Sequence, residues 1–293
     1  MVANEGGKHW LKEICRFVIN FKVMTWWCLT VVGKKTTCVG VWAEIGGGSG
    51  SSKGMLTKLL SGYLVITVVG RRNCGGSDVI LLNLWVSVFG ARVRIALAEK
   101  GINYEYREED INNKSPLLLQ MNPVHKTIPV LIHHAKPICE SSIIVQYIDE
   151  AWHDKAPQLL PSDPYIRAQA RFWADFIDKK CIHVCGRKIW LTEGKDQEVA
   201  KEEFMDVLKV LEGQLGEKPY LVGESFGFAD IALIPFSVWF YTLNKIGNMN
   251  IEKECPKLAA WVNRCMERES VSKTLSDPHQ FYDLVLEHNR KGY

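Results

Sequence analysis

The chain has 293 residues, of which 47% are apolar and 24% charged, a balance that permits a substantial core and excludes a disordered chain. The 36 lysines and arginines are interleaved with 33 aspartates and glutamates, so the formal net charge is only +3. This distribution builds no strong positive field, and we therefore expect no nucleic-acid partner.

Residues 1–76 differ in character from the rest of the chain. Residues 17–32 are largely apolar but contain Asn20 and Lys22, and they fall short of the roughly 20 residues that a membrane helix needs. A secretory signal or anchor remains a weaker alternative, and we expect no membrane association. We interpret residues 1–76 as an unassigned extension, either disordered or derived from an incorrect gene model or a recent fusion.

Short apolar strands alternate with amphipathic helices from residue 78 onwards. The predicted strands cover residues 79–84, 104–107, 128–132 and 136–138, and the predicted helices cover 89–100, a segment starting at Ser115-Pro116, and 140–150. Gly101 is a typical stop for the first helix, and Ser115-Pro116 is a typical N-cap and first-turn pair. The order β-α-β-α-β-β-α predicts a thioredoxin-like domain over residues 77–156.

An all-helical domain is predicted for residues 157–293, after a connector that contains three prolines. The predicted helices cover residues 165–190, 197–215, 228–243, 257–267 and 279–288. Asp230 is expected to cap the helix that follows Gly227. The fold class is therefore an α/β thioredoxin-like domain followed by an all-α domain.

Nine cysteines occur at irregular spacings, which favours free thiols in a reducing compartment over a disulfide framework, so we expect a cytoplasmic protein. Cys181, His183 and Cys185 form the nearest approach to a metal pattern. On a helix these three positions do not share one face, and no second cluster of ligands follows them. We expect no metal.

Six ordered runs occur between Asp78 and the C-terminus: RVRIALAEKG at 92–101, MNPVHK at 121–126, IPVL at 128–131, FWAD at 172–175, GFADIAL at 227–233 and ECPKL at 254–258. On these runs, the chain resembles the plant tau-class glutathione transferases over about 215 residues. The resemblance implies an enzyme of detoxification and stress response that conjugates glutathione to hydrophobic electrophiles, with side activity on organic hydroperoxides. It also implies a homodimer and no cofactor beyond glutathione as co-substrate.

Ser87 lies between the first strand and the first helix, where the resemblance implies the catalytic serine. There a hydroxyl can donate to the glutathione sulfur and the helix dipole favours the thiolate. The alternative is that Ser87 only caps the helix. No Gly-x-Ser-x-Gly motif surrounds it, so covalent serine catalysis is not expected. A serine here, in place of the cysteine of a related branch, favours conjugation over thiol exchange.

The glutathione-binding residues implied by the resemblance are Lys114, Ile128, Glu140 and Ser141. Ile128-Pro129 resembles the cis-proline of the family and would present the Ile128 backbone to the cysteinyl part of glutathione. Glu140 and Ser141 would hold the ammonium and carboxylate of the γ-glutamyl part, and Lys114 the glycine carboxylate. The alternatives are a strand-starting proline, an ordinary helix turn and a surface lysine.

The electrophile pocket is assigned to Phe89, Ile182, Trp190 and Trp239, although aromatic residues at helical spacing are also typical of a core. The chain departs from the family at three places. Val86 and Val88 replace the prolines that usually flank the serine, Thr127 replaces a second lysine, and residues 181–185 look one residue longer than usual.

Two other functions remain open on the sequence. A chain with weakened Ser87 geometry could act as a ligandin-type carrier of hydrophobic small molecules. A thiol-redox protein would instead use Cys181 or Cys185 close to bound glutathione.

Overall fold

The computed structural model describes residues 25–32, 35–42, 55–60, 63–68, 78–180 and 186–290. The chain divides into two compact units, Met1–Asn73 and Cys74–Tyr293. In the first unit, β1 (Thr25–Val32) pairs antiparallel with β2 (Lys35–Trp42), and β3 (Met55–Leu60) pairs antiparallel with β4 (Tyr63–Val68). The assignment of residues 1–76 to an extension stays a prediction.

The second unit begins with a four-stranded mixed sheet in the order β6-β5-β7-β8. The strands are β5 (Val79–Asn83), β6 (Glu105–Glu108), β7 (Val130–His133) and β8 (Lys136–Cys139). β6 runs parallel to β5, whereas β7 runs antiparallel to both β5 and β8. Three helices accompany the sheet: α1 (Val88–Glu99), α2 (Pro116–Met121) and α3 (Ser141–Ala151). This element order confirms the predicted thioredoxin-like domain.

Both faces of the central strand β5 are buried, which explains its uninterrupted apolar sequence. Successive side chains of a strand point to opposite faces. Leu81 accordingly belongs to the large core that α1 and α3 also form, whereas Leu82 packs with Leu118 of α2 on the other face. The sheet is therefore a rigid layer between helices, and its edges can position a site.

The rest of the second unit is helical, as predicted. Its helices are α4 (Pro164–Lys180), α5 (Gly186–Leu191), α6 (Gly194–Leu215), α7 (Phe228–Leu233), α8 (Val238–Gly247), α9 (Ile251–Glu254), α10 (Pro256–Met266), α11 (Glu269–Ser272) and α12 (Pro278–Arg290). Within the described ranges, no helix combines the length and apolar character required to cross a bilayer.

Two predicted helices differ from the observed elements. The expected helix at 228–243 is divided into α7 and α8 by a 3-10 turn, Ile234–Ser237. Pro235 lies in that turn, and its missing N–H breaks the regular pattern of helical hydrogen bonds. The expected helix at 165–190 is represented by α4 and α5, and the residues between them, 181–185, lie outside the described residues.

Asp230 caps α7 as predicted and also joins two other segments. One carboxylate oxygen, Oδ2, accepts the Gly227 N–H at 3.1 Å. The other, Oδ1, accepts the Leu221 N–H at 3.0 Å and the Trp261 indole N–H at 2.8 Å. Three donors satisfy this buried carboxylate, so the cap also fixes the position of α10.

Candidate active site

The predicted site residues of the thioredoxin-like domain converge at one edge of the sheet. Leu82 of β5 pairs with Val130 of β7, and Val130 pairs with Cys139 of β8. Ser87 follows the end of β5, while the dipeptides 128–129 and 140–141 border the paired ends of β7 and β8. The topology therefore brings segments that are distant in sequence to the same edge.

Ser87 is the N-cap of α1 and is partly exposed. Its Oγ accepts the Gly90 N–H at 3.1 Å, and its own N–H donates to Leu84 O at 2.9 Å. Ser87 therefore does cap α1, but the cap uses only an acceptor lone pair of its hydroxyl oxygen. The O–H remains able to donate outward, so capping and thiolate stabilisation are compatible.

The helix dipole at Ser87 favours an anion. The first turn of α1 contains no acidic residue, so the helix itself supplies no carboxylate that would neutralise the positive end of its dipole. A thiolate placed against the Ser87 hydroxyl would gain from both the hydrogen bond and the dipole.

The peptide bond between Ile128 and Pro129 is cis, which confirms the sequence-based expectation. Ile128 is partly buried and packs against the cluster that contains Leu118 and Val130. Among the described residues, no hydrogen bond uses the backbone N–H or C=O of Ile128. This backbone segment is therefore available for pairing with an extended ligand.

Glu140 has an unusual backbone conformation for a residue that is not glycine. Its φ is 69° and its ψ is 115°, immediately before α3. Such a conformation is disfavoured for a residue with a Cβ and is found preferentially at functional sites. The exposed Glu140 carboxylate lies 3.8 Å from His125 Nε2. Glu140 and the first N–H groups of α3 directly follow the end of β8, which borders the other candidate residues.

Arg92 lies beneath the start of α3 and was not singled out as a site residue from the sequence. Its guanidinium donates to Ser141 Oγ at 3.3 Å and to Ser142 Oγ at 3.4 Å. It also forms an ion pair of 2.7 Å with Asp178 of α4 and donates to Ala232 O at 2.9 Å. The sequence does contain one signal for this role, which is an arginine on the apolar face of α1. Because an unpaired charge is rarely buried, such an arginine indicates buried partners.

Lys114 is exposed just before Ser115, the N-cap of α2, and forms no ion pair among the described residues. The buried Glu109 accepts both the Ser115 hydroxyl, at 2.6 Å, and the Ser115 N–H, at 3.2 Å. Glu109 also donates its own N–H to Asn83 O at 2.7 Å, at the end of β5. Lys114 is thus tethered to the same end of the sheet.

An apolar cluster from the helical part borders the serine loop. Trp190 and Trp239 make an edge contact at 5.5 Å, and Trp239 contacts Phe281 of α12 at 4.8 Å. Val86 and Val88, on either side of Ser87, pack against this same cluster. The indole N–H of Trp190 is buried and has no hydrogen-bond partner among the described residues. Phe281 was not anticipated from the sequence.

The other predicted pocket residues are placed differently. Phe89 contacts Phe236 edge-on at 5.8 Å and lies under the Arg92 guanidinium, partly buried against the main core. Ile182 and the Cys181, His183 and Cys185 set fall outside the described residues. Two open clefts, of about 610 and 410 Å³, are lined by neither Ser87 nor the predicted glutathione-binding residues.

Two family models match the chain. The model "Glutathione S-transferase, N-terminal domain" covers residues 77–150, and "Glutathione S-transferase, C-terminal domain" covers residues 172–269. The matched ranges therefore span most of the thioredoxin-like domain and much of the helical part.

Curated plant proteins match over most of their own length. Probable glutathione S-transferase parC of Nicotiana tabacum is 64% identical over 208 residues, which are 71% of this chain and 94% of the relative. Glutathione S-transferase U19 of Arabidopsis thaliana is 59% identical over 215 residues, 73% of this chain and 97% of the relative.

Solved structures agree with these relatives. Rice GST1 in complex with glutathione matches with a TM-score of 0.71 and 44% identity, covering 74% of this chain and 98% of that chain. The tau-class glutathione S-transferase of mango matches with a TM-score of 0.67 and 39% identity, covering 71% of this chain and 97% of that chain. The chain belongs to the glutathione S-transferase family, in its plant tau class.

Proposed function

We propose that this enzyme transfers the thiolate of glutathione to small hydrophobic electrophiles, and that Ser87 stabilises the thiolate. The observation that carries the proposal is the position of the Ser87 hydroxyl at the N-terminus of α1, where its oxygen accepts the Gly90 N–H. This hydroxyl has one donor, and the cap to Gly90 leaves that donor unused.

Glutathione would lie along the sheet edge. The Ile128 backbone would pair with its cysteinyl part, Glu140 and the N–H groups of α3 would hold its γ-glutamyl part, and Lys114 its glycine carboxylate. The unusual φ of Glu140 and the tether of Ser115 to Glu109 support these roles. These residues would position the glutathione sulfur, and none of them would react with it.

In the reaction, the glutathione thiol loses its proton to solvent and the thiolate accepts the Ser87 O–H hydrogen bond. The sulfur then forms a bond to the electrophilic carbon. With an aryl halide, halide leaves with the bonding electron pair, so the atoms and charges balance. The pKa of a free thiol is about 8.5, and stabilising its anion raises the reactive fraction near neutral pH.

The electrophile would bind against the apolar cluster of Trp190, Trp239 and Phe281. This cluster borders the serine loop through Val86 and Val88, so an electrophile bound there would lie next to the sulfur. Organic hydroperoxides are a second substrate class with the same apolar preference. Detoxification and stress response in the cytosol are the proposed setting, with a homodimer as the working form.

The test is conjugation of chlorodinitrobenzene by the wild type and by Ser87→Ala. Loss of a hydrogen bond to a charged group is worth roughly 1.5–3 kcal/mol, so we expect kcat to fall about 10- to 100-fold. Asn250→Ala is the matched control, because it removes the N-cap of α9 without touching the sheet edge. It should lower stability slightly and leave kcat unchanged.

A Ser87→Ala variant with wild-type kcat would contradict the role of Ser87. A wild type that binds glutathione but has no measurable turnover would instead favour the ligandin-type carrier. Isothermal titration with glutathione distinguishes these outcomes, since it measures binding independently of chemistry.

A further inference from the structure

The carboxylate of Glu108 connects the end of β6 to the loop that contains Ser87. Its Oε1 accepts the Trp85 N–H at 3.1 Å, and its Oε2 accepts the Tyr106 hydroxyl. Glu108 pairs with Asn83 in the parallel β5–β6 ladder, so both strands end at the same level. The side chain therefore reaches from the end of one strand to the first residues beyond the other.

Trp85 lies inside the turn that places the catalytic serine. The Ser87 N–H donates to Leu84 O at 2.9 Å, which closes a four-residue turn with Trp85 and Val86 at its centre. The turn forms its backbone hydrogen bond between its first and fourth residues, and the N–H of its second residue, Trp85, has no backbone acceptor among the described residues. Glu108 supplies the acceptor, and so it ties the centre of the turn to the sheet.

The composition of this turn makes an external tether important. A proline on either side of the serine would fix the backbone φ there through its ring. Here Val86 and Val88 occupy those positions, and their φ angles are not restricted by a ring. Packing against the Trp239 cluster constrains the valine side chains, but it does not orient the Trp85 peptide.

The Tyr106 hydroxyl holds the Glu108 carboxylate in place. Tyr106 and Glu108 are two residues apart on β6, so their side chains lie on the same face. The Arg94 guanidinium lies 5.9 Å from the Tyr106 ring centroid. Burial, followed by the hydrogen bond to Glu108, raises the pKa of Tyr106 well above its usual range, which keeps the phenol protonated as a donor.

We propose that Glu108 is a positioning residue of the transferase reaction, which orients the Leu84–Ser87 turn so that the Ser87 hydroxyl points at the glutathione sulfur. This inference rests on the proposed role of Ser87. Glu108 itself touches neither glutathione nor the electrophile. Its loss should therefore weaken stabilisation of the thiolate more than it weakens binding of glutathione.

The experiment compares Glu108→Ala, Glu108→Gln and Glu105→Ala in the full chain. Glu105 lies on the same strand but pairs with Arg107 at 2.7 Å instead of the loop, so its variant is the matched control. For each protein, kcat and KM for glutathione are measured across pH, together with the ultraviolet absorbance of bound thiolate.

We expect Glu108→Ala to lower kcat about tenfold and to raise the pH midpoint of thiolate formation by about 0.5 to 1 unit. The KM for glutathione should change less than about twofold, because the contacts along the sheet edge remain. Glu108→Gln should recover most of the loss, since its amide oxygen can still accept the Trp85 N–H. Glu105→Ala should behave as the wild type.

An unchanged pH midpoint in Glu108→Ala, or an equal loss in Glu105→Ala, would overturn the inference while the proposed function stands. If the pH midpoint of thiolate formation in Ser87→Ala equalled that of the wild type, the proposed role of Ser87 would fail, and this inference would fail with it. Thermal unfolding of each variant shows whether the variant has lost structure in general. A shifted thiolate midpoint in a variant with an unchanged melting temperature is then due to the site.

Discussion

The guanidinium of Arg92 is a buried charge that supports the start of α3. Only 1% of Arg92 is exposed, and its partners come from three different helices of the fold. The ion pair with Asp178 links the thioredoxin-like domain to α4. A charge in such a position is maintained only while its partners remain, because removal of one partner leaves the other buried and unpaired.

Arg92→Met is predicted to destabilise the chain and to weaken glutathione binding. The methionine retains part of the apolar stem but leaves the buried Ala232 O without its donor. It also removes the ion pair to Asp178, which is exposed and still accepts the Ser142 hydroxyl, so we expect a cost of roughly 1–3 kcal/mol. The KM for glutathione should rise, because Ser141 loses the donor that orients its hydroxyl.

Chemical denaturation and glutathione titration measure these two effects. Arg94→Met is the matched control, since Arg94 is two residues away on α1, is only partly buried and donates to Thr274 O. If both variants lose the same stability and affinity, the buried position of Arg92 has no special role.

At the residue scale, the sequence predicted what local chemistry determines. The cis bond before Pro129 and the capping geometry of Ser87 and Asp230 are consequences of short segments, and the structure has all three. The role of Arg92 was not predicted, because its partners are 49 to 140 positions away.

At the scale of elements, Asp230 joins α7 to α10 through a carboxylate whose protonation depends on folding. Burial raises the pKa of Asp230 from 3.8 to about 6, against the opposing effect of its three N–H donors. Between these values the folded chain holds a proton that the unfolded chain has released. The contribution of Asp230 to the free energy of unfolding therefore decreases as pH rises through about 6.

Asp230→Asn is predicted to cost roughly 1–3 kcal/mol at pH 7, because its amide nitrogen cannot accept the Gly227 N–H. The variant does not titrate, so the stability of the wild type relative to Asp230→Asn should rise as pH falls from about 7 to about 5. Urea unfolding across this range measures the difference.

Asp163→Asn is the control for this prediction. Asp163 is exposed and accepts the Ile166 N–H at 2.8 Å at the start of α4, where asparagine caps equally well. A flat pH dependence of the Asp230→Asn difference would contradict the raised pKa.

Element boundaries were predictable where a capping residue or a proline marks them. Ser115-Pro116 and Gly101 mark ends that the structure reproduces within one residue. The 3-10 turn at Pro235 was missed, because apolar periodicity continues through it. Whether such a proline kinks or divides a helix depends on what packs around it.

At the scale of the whole molecule, two neighbouring helices expose large apolar side chains. Ile143 of α3 is 55% exposed and Phe172 of α4 is 56% exposed. Arg171 of α4 donates to Gln146 Oε1 of α3 at 2.8 Å, which links the two helices. Exposed apolar groups on adjacent elements favour association, and this supports the proposed homodimer.

The double substitution Ile143→Lys and Phe172→Lys is predicted to convert a dimer into a monomer, because both lysines would place charge in the apolar contact. Light scattering coupled to size-exclusion chromatography measures the mass. Val210→Lys is the control, since Val210 is 48% exposed on α6, which is not part of this surface. A monomeric wild type would contradict the homodimer, and a dimeric double variant would exclude this surface as its interface.

The family, the order of the elements and the choice of Ser87, Ile128 and Glu140 as site candidates followed from the amino-acid sequence alone. These features depend on local propensity and on motifs that are contiguous in the chain. Three features became visible only in the folded chain. The strands β5, β7 and β8 bring those candidates to one edge, Arg92 donates to Ser141, and Glu108 accepts the Trp85 N–H in the turn before Ser87. Each of these contacts joins residues from different elements, so strand pairing and helix packing must form before any of them exists.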